Sequence, residues 1–80
     1  MDTIALGTII RDRRKEKKMT LADLSTHCNV GVRFLSELEN GKPTIELGKA
    51  LKVMNRLNIE LTVLPTNEVQ KHKYNTSSKA

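Results

Sequence analysis

The stretch Thr20–Gly41, TLADLSTHCNVGVRFLSELENG, leaves the chain the fewest choices. Leu21 and Leu24 are three apart, with Asp23 and Ser25 elsewhere on the wheel, so a short amphipathic helix is expected there. Thr20 precedes it, and its hydroxyl can cap the free N–H groups. Cys28-Asn29-Val30-Gly31 reads as the connection. Asn29 tolerates the left-handed backbone of a sharp turn, Gly31 is an acceptable cap for the next helix, and Val30 is the apolar plug.

A second helix is expected from Val32 to about Asn40. Phe34, Leu35 and Leu38 share one side, while Arg33, Ser36, Glu37 and Asn40 fall at i, i+3, i+4 and i+7 on the other. Gly41 stops it. Two short helices around a tight turn, the second with an outward hydrogen-bonding stripe, form a helix-turn-helix layout. On its outward side, Val32, Arg33, Ser36 and Glu37 are the candidates to read base edges. Arg33 suits a bidentate contact to guanine, Val32 a thymine methyl, and Glu37 either accepts from cytosine N4 or repels wrong registers.

Upstream, a helix is expected from about Ile4 to Lys18. Leu6 and Ile10 share a face, and the next position on it is Arg14. Glu39 follows Leu35 by four, at the edge of the inward face. A lone buried charge costs several kcal/mol, so an Arg14–Glu39 bridge is expected. Arg11 to Lys18 holds six basic and two acidic residues, +4 of the net +5 at pH 7. Such a run is a solvated face or a contact with DNA phosphates, to which Lys17 and Lys18 are the candidates.

Downstream, Pro43 prevents helix continuation and Thr44 is expected to cap a helix from about Ile45 to Leu57, with Leu47, Leu51, Met54 and Leu57 as its inner stripe. Asn40, Gly41 and Lys42 form the preceding loop and, with Thr20, complete the candidate phosphate contacts. Asn58 ends the last helix. The period then changes: Ile59 to Leu64 alternates over most of its length, and Pro65 closes it. A lone strand has no partner, so pairing with its copy across a twofold axis is expected, through Ile59, Leu61 and Val63. Residues 1–65 thus read as one domain ending in a dimerisation strand (59–64), and 66–80 as a flexible basic tail.

Composition narrows the function. Eighty residues allow one small core, and the positive balance favours a polyanion. No apolar run spans a bilayer and no signal-peptide pattern is seen, so no membrane partner is expected. Cys28 is the one cysteine, which excludes an internal disulfide, fits a reducing cytoplasm and reads as apolar filler rather than a reactive thiol. His27 and His72 lack ligand neighbours at metal spacing, so neither metal nor cofactor is expected. Phe34 and Tyr74 are the sole aromatics, too few to stack single-stranded bases, which argues against an RNA-binding module. No nucleophile, base and orienting group cluster, so an enzyme is not expected.

The segment Arg33-Phe34-Leu35-Ser36-Glu37-Leu38-Glu39-Asn40-Gly41-Lys42-Pro43-Thr44, with Leu6-Gly7 and Ile10-Arg11 upstream, resembles the Xre/Cro-type helix-turn-helix family, and within it the HipB-like antitoxin branch. Over about residues 4 to 65 the resemblance implies a mostly α fold: a lambda-repressor-like bundle of four helices plus one C-terminal strand pairing across a homodimer. It implies a bacterial, nucleoid-associated repressor on double-stranded operator DNA that regulates its own operon, with a HipA-like kinase toxin as partner. A phage-type Cro or repressor regulator without a toxin is the alternative. Leu21 stands where the family usually has a phosphate-holding Gln, Asn29 where it has Gly, and Gly31 where it has a capping Ser. With Leu21 that phosphate contact is absent or made elsewhere, and Gly31 gives up a hydroxyl that could reach DNA.

Overall fold

A computed structural model describes residues 1–64. The tail expected over Thr66–Ala80, with His72, lies outside them, as does Pro65. Four helices follow in order: α1 (Thr3–Glu16), α2 (Leu21–Cys28), α3 (Val32–Glu39) and α4 (Leu47–Arg56). α1 packs on α3, and α2 lies against both α3 and α4. Their shared core is Ile10, Leu24, Cys28, Val30, Leu35, Leu38, Ala50, Val53, Met54 and Leu57.

Local chemistry sets the helix ends. The Asp2 carboxylate accepts from the Ala5 amide at 2.8 Å and starts α1. α1 stops at Glu16, two residues before the expected Lys18, because Lys18 adopts a left-handed backbone at φ 58°. Thr20 and Asp23 then form a reciprocal cap: Thr20 Oγ1 accepts from the Asp23 amide at 3.0 Å, and Asp23 accepts from the Thr20 amide at 2.9 Å. Asn29 closes α2 at φ 57°, and Val30 is buried beneath the turn. The Ser25 hydroxyl donates to the Val30 carbonyl at 2.5 Å and fixes the corner.

α3 ends in a Schellman turn. The Lys42 amide donates to Glu37 O and the Gly41 amide to Leu38 O, both at 3.1 Å, with Gly41 at φ +82°. A Cβ on Gly41 would also lie 2.7 Å from Ile4 Cα, so this glycine seats the α3 terminus on the start of α1. Gly7 does the same from the other side. A Cβ there would strike the Glu39 carbonyl and lie 2.6 Å from the Leu38 carbonyl oxygen. A mid-helix glycine costs about 1 kcal/mol of helix propensity relative to alanine, and here it allows backbone-to-backbone contact.

Two expectations for α4 are corrected: its start and cap, and its inner stripe. α4 begins at Leu47, not Ile45, and its cap is Glu46 rather than Thr44: the Glu46 carboxylate accepts from the Gly48 and Lys49 amides at 3.1 and 2.9 Å. Leu47 and Leu51 are 61% and 41% exposed, so they are not on the inner stripe. The inward face is Ala50, Val53, Met54 and Leu57. The sequence offers two overlapping apolar stripes that share Met54 and Leu57, and periodicity alone does not say which edge faces in.

The strand expected over 59–64 is not formed by a single copy. Residues 59–64 form no strand within the described residues. The α4 end is also a Schellman turn, with Asn58 left-handed at φ 61° and the Ile59 amide donating to Met54 O at 2.8 Å. Ile59 packs against the core, whereas Leu61, Val63 and Leu64 stay exposed. A single copy offers this segment no ladder partner.

One ion pair ties the layers together. Arg14 and Glu39 are 9% and 5% exposed. Arg14 Nε donates to Glu39 Oε2 at 2.6 Å and Nη2 to Oε1 at 2.9 Å, a bidentate fork. Arg14 Nη1 donates to the Met19 carbonyl at 2.8 Å, so the same side chain holds the loop before α2. Hydrogen bonding to Glu39 raises the Arg14 pKa further, against the opposing effect of burial. Glu39→Ala leaves a buried guanidinium unpaired and is expected to cost about 3–5 kcal/mol in urea unfolding. Glu46→Ala, which removes an N-cap, should cost about 1 kcal/mol. Equal losses would show that burial of the pair contributes nothing.

Candidate nucleic-acid interface

With Leu35, Leu38 and Glu39 facing inward, α3 presents its remaining sides to solvent. Val32 is exposed at its first turn, and the Arg33 side chain is 91% exposed. Ser36 and Glu37 follow, half-buried, one turn later. Phe34, expected inward, is half-buried at the flank, with Lys49 Nζ 5.7 Å from its ring centroid.

Glu37 stands between two cations. Its Oε2 is 3.5 Å from Arg33 Nε, and its Oε1 is 3.2 Å from Lys42 Nζ. Both partners belong to the DNA-facing set proposed from sequence. A counter-ion role for Glu37 was not read there, although Arg33 and Glu37 are four apart on one helix.

The turn after α3 is committed in a way the sequence did not show. The amides of Asn40, Gly41 and Lys42 all donate to carbonyls of α3. Gly41 is buried, and its carbonyl accepts from Thr3 Oγ1 at 2.8 Å. Gly41 therefore serves packing, and the backbone N–H groups here have no donor to spare for a phosphate. Side chains remain. Asn40 Oδ1 accepts from Arg11 Nη2 at 3.1 Å, which leaves its amide NH2 directed by a fixed partner and able to donate. The Thr20 hydroxyl accepts from the Asp23 amide, and its own proton is shared with the Asp23 carboxylate.

The basic run of α1 divides by residue type. Its arginines are used internally: Arg11 reaches Asn40 and lies 3.5 Å from Glu39 Oε1, Arg13 donates to the Leu57 carbonyl at 2.9 Å, and Arg14 holds Glu39. Arg11 and Arg13 are positioning residues that sequence reasoning passed over. Their signal was their place on the same basic run, three and one residues from the bridging arginine. Lys17 and Lys18 stay exposed. Lys17 lines a cleft with Met19, His27, Asn55, Arg56 and Asn58, none of them on α3.

Elsewhere, Leu51, Met54, Ile59 and Leu61 line a groove between α4 and the following segment. Cys28 is buried, and desolvation pushes its thiol pKa up, which suits a packing role. His27 Nδ1 contacts Arg56 Nη2 at 2.8 Å. No helix among the described residues is long and apolar enough to cross a membrane.

Comparison with known proteins agrees with this geometry. A family model described as helix-turn-helix matches residues 10–64. An uncharacterized HTH-type transcriptional regulator, y4mF, of Sinorhizobium fredii (strain NBRC 101917 / NGR234) is 36% identical over 66 residues, covering 82% of this chain and 87% of that protein. The ImmF control region 10 kDa protein of Bacillus phage phi105 is 29% identical over 70 residues, covering 88% of this chain and 78% of its own length.

The cap that sets the start of α2 carries a pH signature. Hydrogen bonding from the Thr20 amide, then from its side chain, lowers the Asp23 pKa below the ordinary 3.8. A carboxylate depressed on folding adds stability above its unfolded pKa and loses it as pH falls through the folded value. Asp23→Asn should therefore be less stable than the wild type at neutral pH. The gap should close as pH drops below 3.8. Thermal unfolding of both from pH 7 to pH 2 checks this, and a gap that stays constant would assign the effect to packing instead.

Proposed function

We propose a function from one premise: the chain belongs to the helix-turn-helix family. It is a DNA-binding transcription regulator and not an enzyme. The observation that carries the reading is α3 itself, locked from behind by the Arg14–Glu39 fork while Arg33 projects almost fully into solvent. A helix held so rigidly and so exposed is suited to lie in the major groove of duplex DNA. The net charge of +5 adds a general attraction to phosphates.

In this reading Arg33 forks onto guanine O6 and N7, Val32 meets a thymine methyl, and Ser36 and Glu37 face the next base edges. Lys42, the Asn40 side chain and the Thr20 hydroxyl take phosphates, with Lys17 and Lys18 adding charge. Leu61 and Val63, exposed and alternating beside the Leu51–Ile59 groove, support a homodimer in which two copies of the 59–64 segment pair as a ribbon. Two subunits then address a palindromic operator in successive major grooves.

A narrower proposal is that the protein is the antitoxin of a HipA-like kinase operon, supported by the resemblance of residues 33–44. A second reading, a phage-type regulator without a toxin, rests on the similarity to the phage phi105 control-region protein. Co-purification of the untagged neighbouring gene product separates them: a kinase-like protein retained with the chain supports the first.

Duplex binding should be steeply salt-dependent. If each subunit neutralises about three or four phosphates, log K against log salt has a slope of about −5 to −7 per dimer. Lys42→Ala should weaken operator and random DNA alike and flatten the slope by about two. Arg33→Ala should cost about 1–3 kcal/mol and relax preference at one base pair per half-site. Titrating both variants on a duplex enriched by the wild type from a random pool, and on a random duplex, tests the division. Lys42→Ala hurting only the enriched duplex, with Arg33→Ala hurting both equally, would reverse it.

The dimer has its own test. Leu61→Glu combined with Val63→Glu should give a folded monomer in sedimentation equilibrium. A surviving dimer would place the interface on the helices.

A further inference from the structure

Resting on the reading of α3 as the DNA-facing helix, we propose that Glu37 is a specificity-determining residue that acts as a built-in counter-ion. It competes with DNA phosphates for Arg33 and Lys42, and so suppresses binding to the wrong sequence. The geometry is asymmetric. The Glu37 side chain is 33% exposed, whereas Arg33 is 91% exposed. Glu37 is therefore the member held in place by packing, and the cations come to it. One carboxylate serves both: Oε2 lies 3.5 Å from Arg33 Nε and Oε1 lies 3.2 Å from Lys42 Nζ.

The donor inventory explains why this favours the right sequence. Arginine carries five N–H donors in a planar fork, one on Nε and four on the two Nη atoms. Glu37 engages the Nε side. The Nη groups remain free to fork onto guanine, an interaction of shape as much as charge. A phosphate, by contrast, attracts Arg33 and Lys42 mainly by charge, and the Glu37 carboxylate already offsets half of that charge. Docking on an arbitrary duplex must exchange Glu37 for a phosphate at both cations, and it leaves the carboxylate facing a polyanion. At the correct site Lys42 makes the same exchange, but Arg33 keeps Glu37 and gains the base. The pair of contacts thus subtracts from non-specific affinity more than from specific affinity.

Glu37→Gln should raise affinity for a mixed-sequence 20-base-pair duplex by about 2- to 30-fold per subunit, the range that two exposed ion pairs of ordinary strength span. Affinity for the wild-type-enriched duplex should rise less, so the ratio of the two should fall. Removing any negative charge helps binding to DNA, so Asp12→Asn, an exposed carboxylate on α1 with the same charge change, is the control. It should give a smaller gain and an unchanged ratio. The effect of Glu37→Gln should also shrink in a Lys42→Ala background, because one of the two cations it neutralises is then gone. Equal gains from Glu37→Gln and Asp12→Asn, or a Glu37→Gln gain undiminished by Lys42→Ala, would overturn the counter-ion role while leaving DNA binding intact. Failure of the wild type to bind any duplex would overturn both this role and the reading beneath it.

Discussion

The fork between Arg14 and Glu39 is the constraint on which the geometry of this small domain depends. Two opposite charges are taken out of water at the junction of α1 and α3. Such a pair is not a strong source of stability against an apolar substitute, since desolvation offsets much of the attraction. It supplies direction. A guanidinium and a carboxylate meet well only as a planar fork, so the register and roll of α3 against α1 are fixed. An apolar contact of the same size would let the helices slide. The third donor of Arg14, on the Met19 carbonyl, extends that control to the loop that launches α2.

Around the fork, close backbone contact does the rest. Gly7 lets α1 touch the last carbonyls of α3, and Gly41 lets the turn after α3 rest on Ile4. Arg11 adds a link to Asn40, beside the Glu39 carboxylate. The last turn of α3 is thus held from several directions, and its amides are used up in doing so. This matters for function. A helix that reads base edges loses little on binding if it is already rigid. The price is that the turn offers a phosphate only side chains: Asn40 and Lys42.

Much of this was legible from residue patterns. Thr20, Asn29, Val30 and Gly41 announced the corner and its limits, because capping and left-handed turns depend on neighbours within four residues, whereas the reciprocal bond from Asp23 emerged only in the structure. The charged positions Arg14 and Glu39, standing where apolar residues were due, announced each other. The second edge of α4 was less legible. Leu47, Ala50, Leu51, Val53, Met54 and Leu57 form an apolar sector wider than one contact needs, and the cap at Glu46 and the packing on α2 selected the Ala50 side. The exposed remainder, with Leu61 and Val63, is where a second copy would be placed under the proposed dimer.

The sequence by itself determined the helix-turn-helix layout, the outward stripe of α3 and the partner of the buried charge. Each of these is a matter of spacing along the chain, and the spacing of a helix is rigid. Only the tertiary structure decided how the other charged side chains are spent. Arg11 and Arg13 turn to the Asn40 side chain and the Leu57 carbonyl while Lys17 and Lys18 stay in water, and Glu37 settles between Arg33 and Lys42. Long side chains reach several ångströms in any of several rotamers. Their partners are therefore chosen by which carbonyl or carboxylate the packed backbone brings within reach, and that is fixed only once the helices have docked.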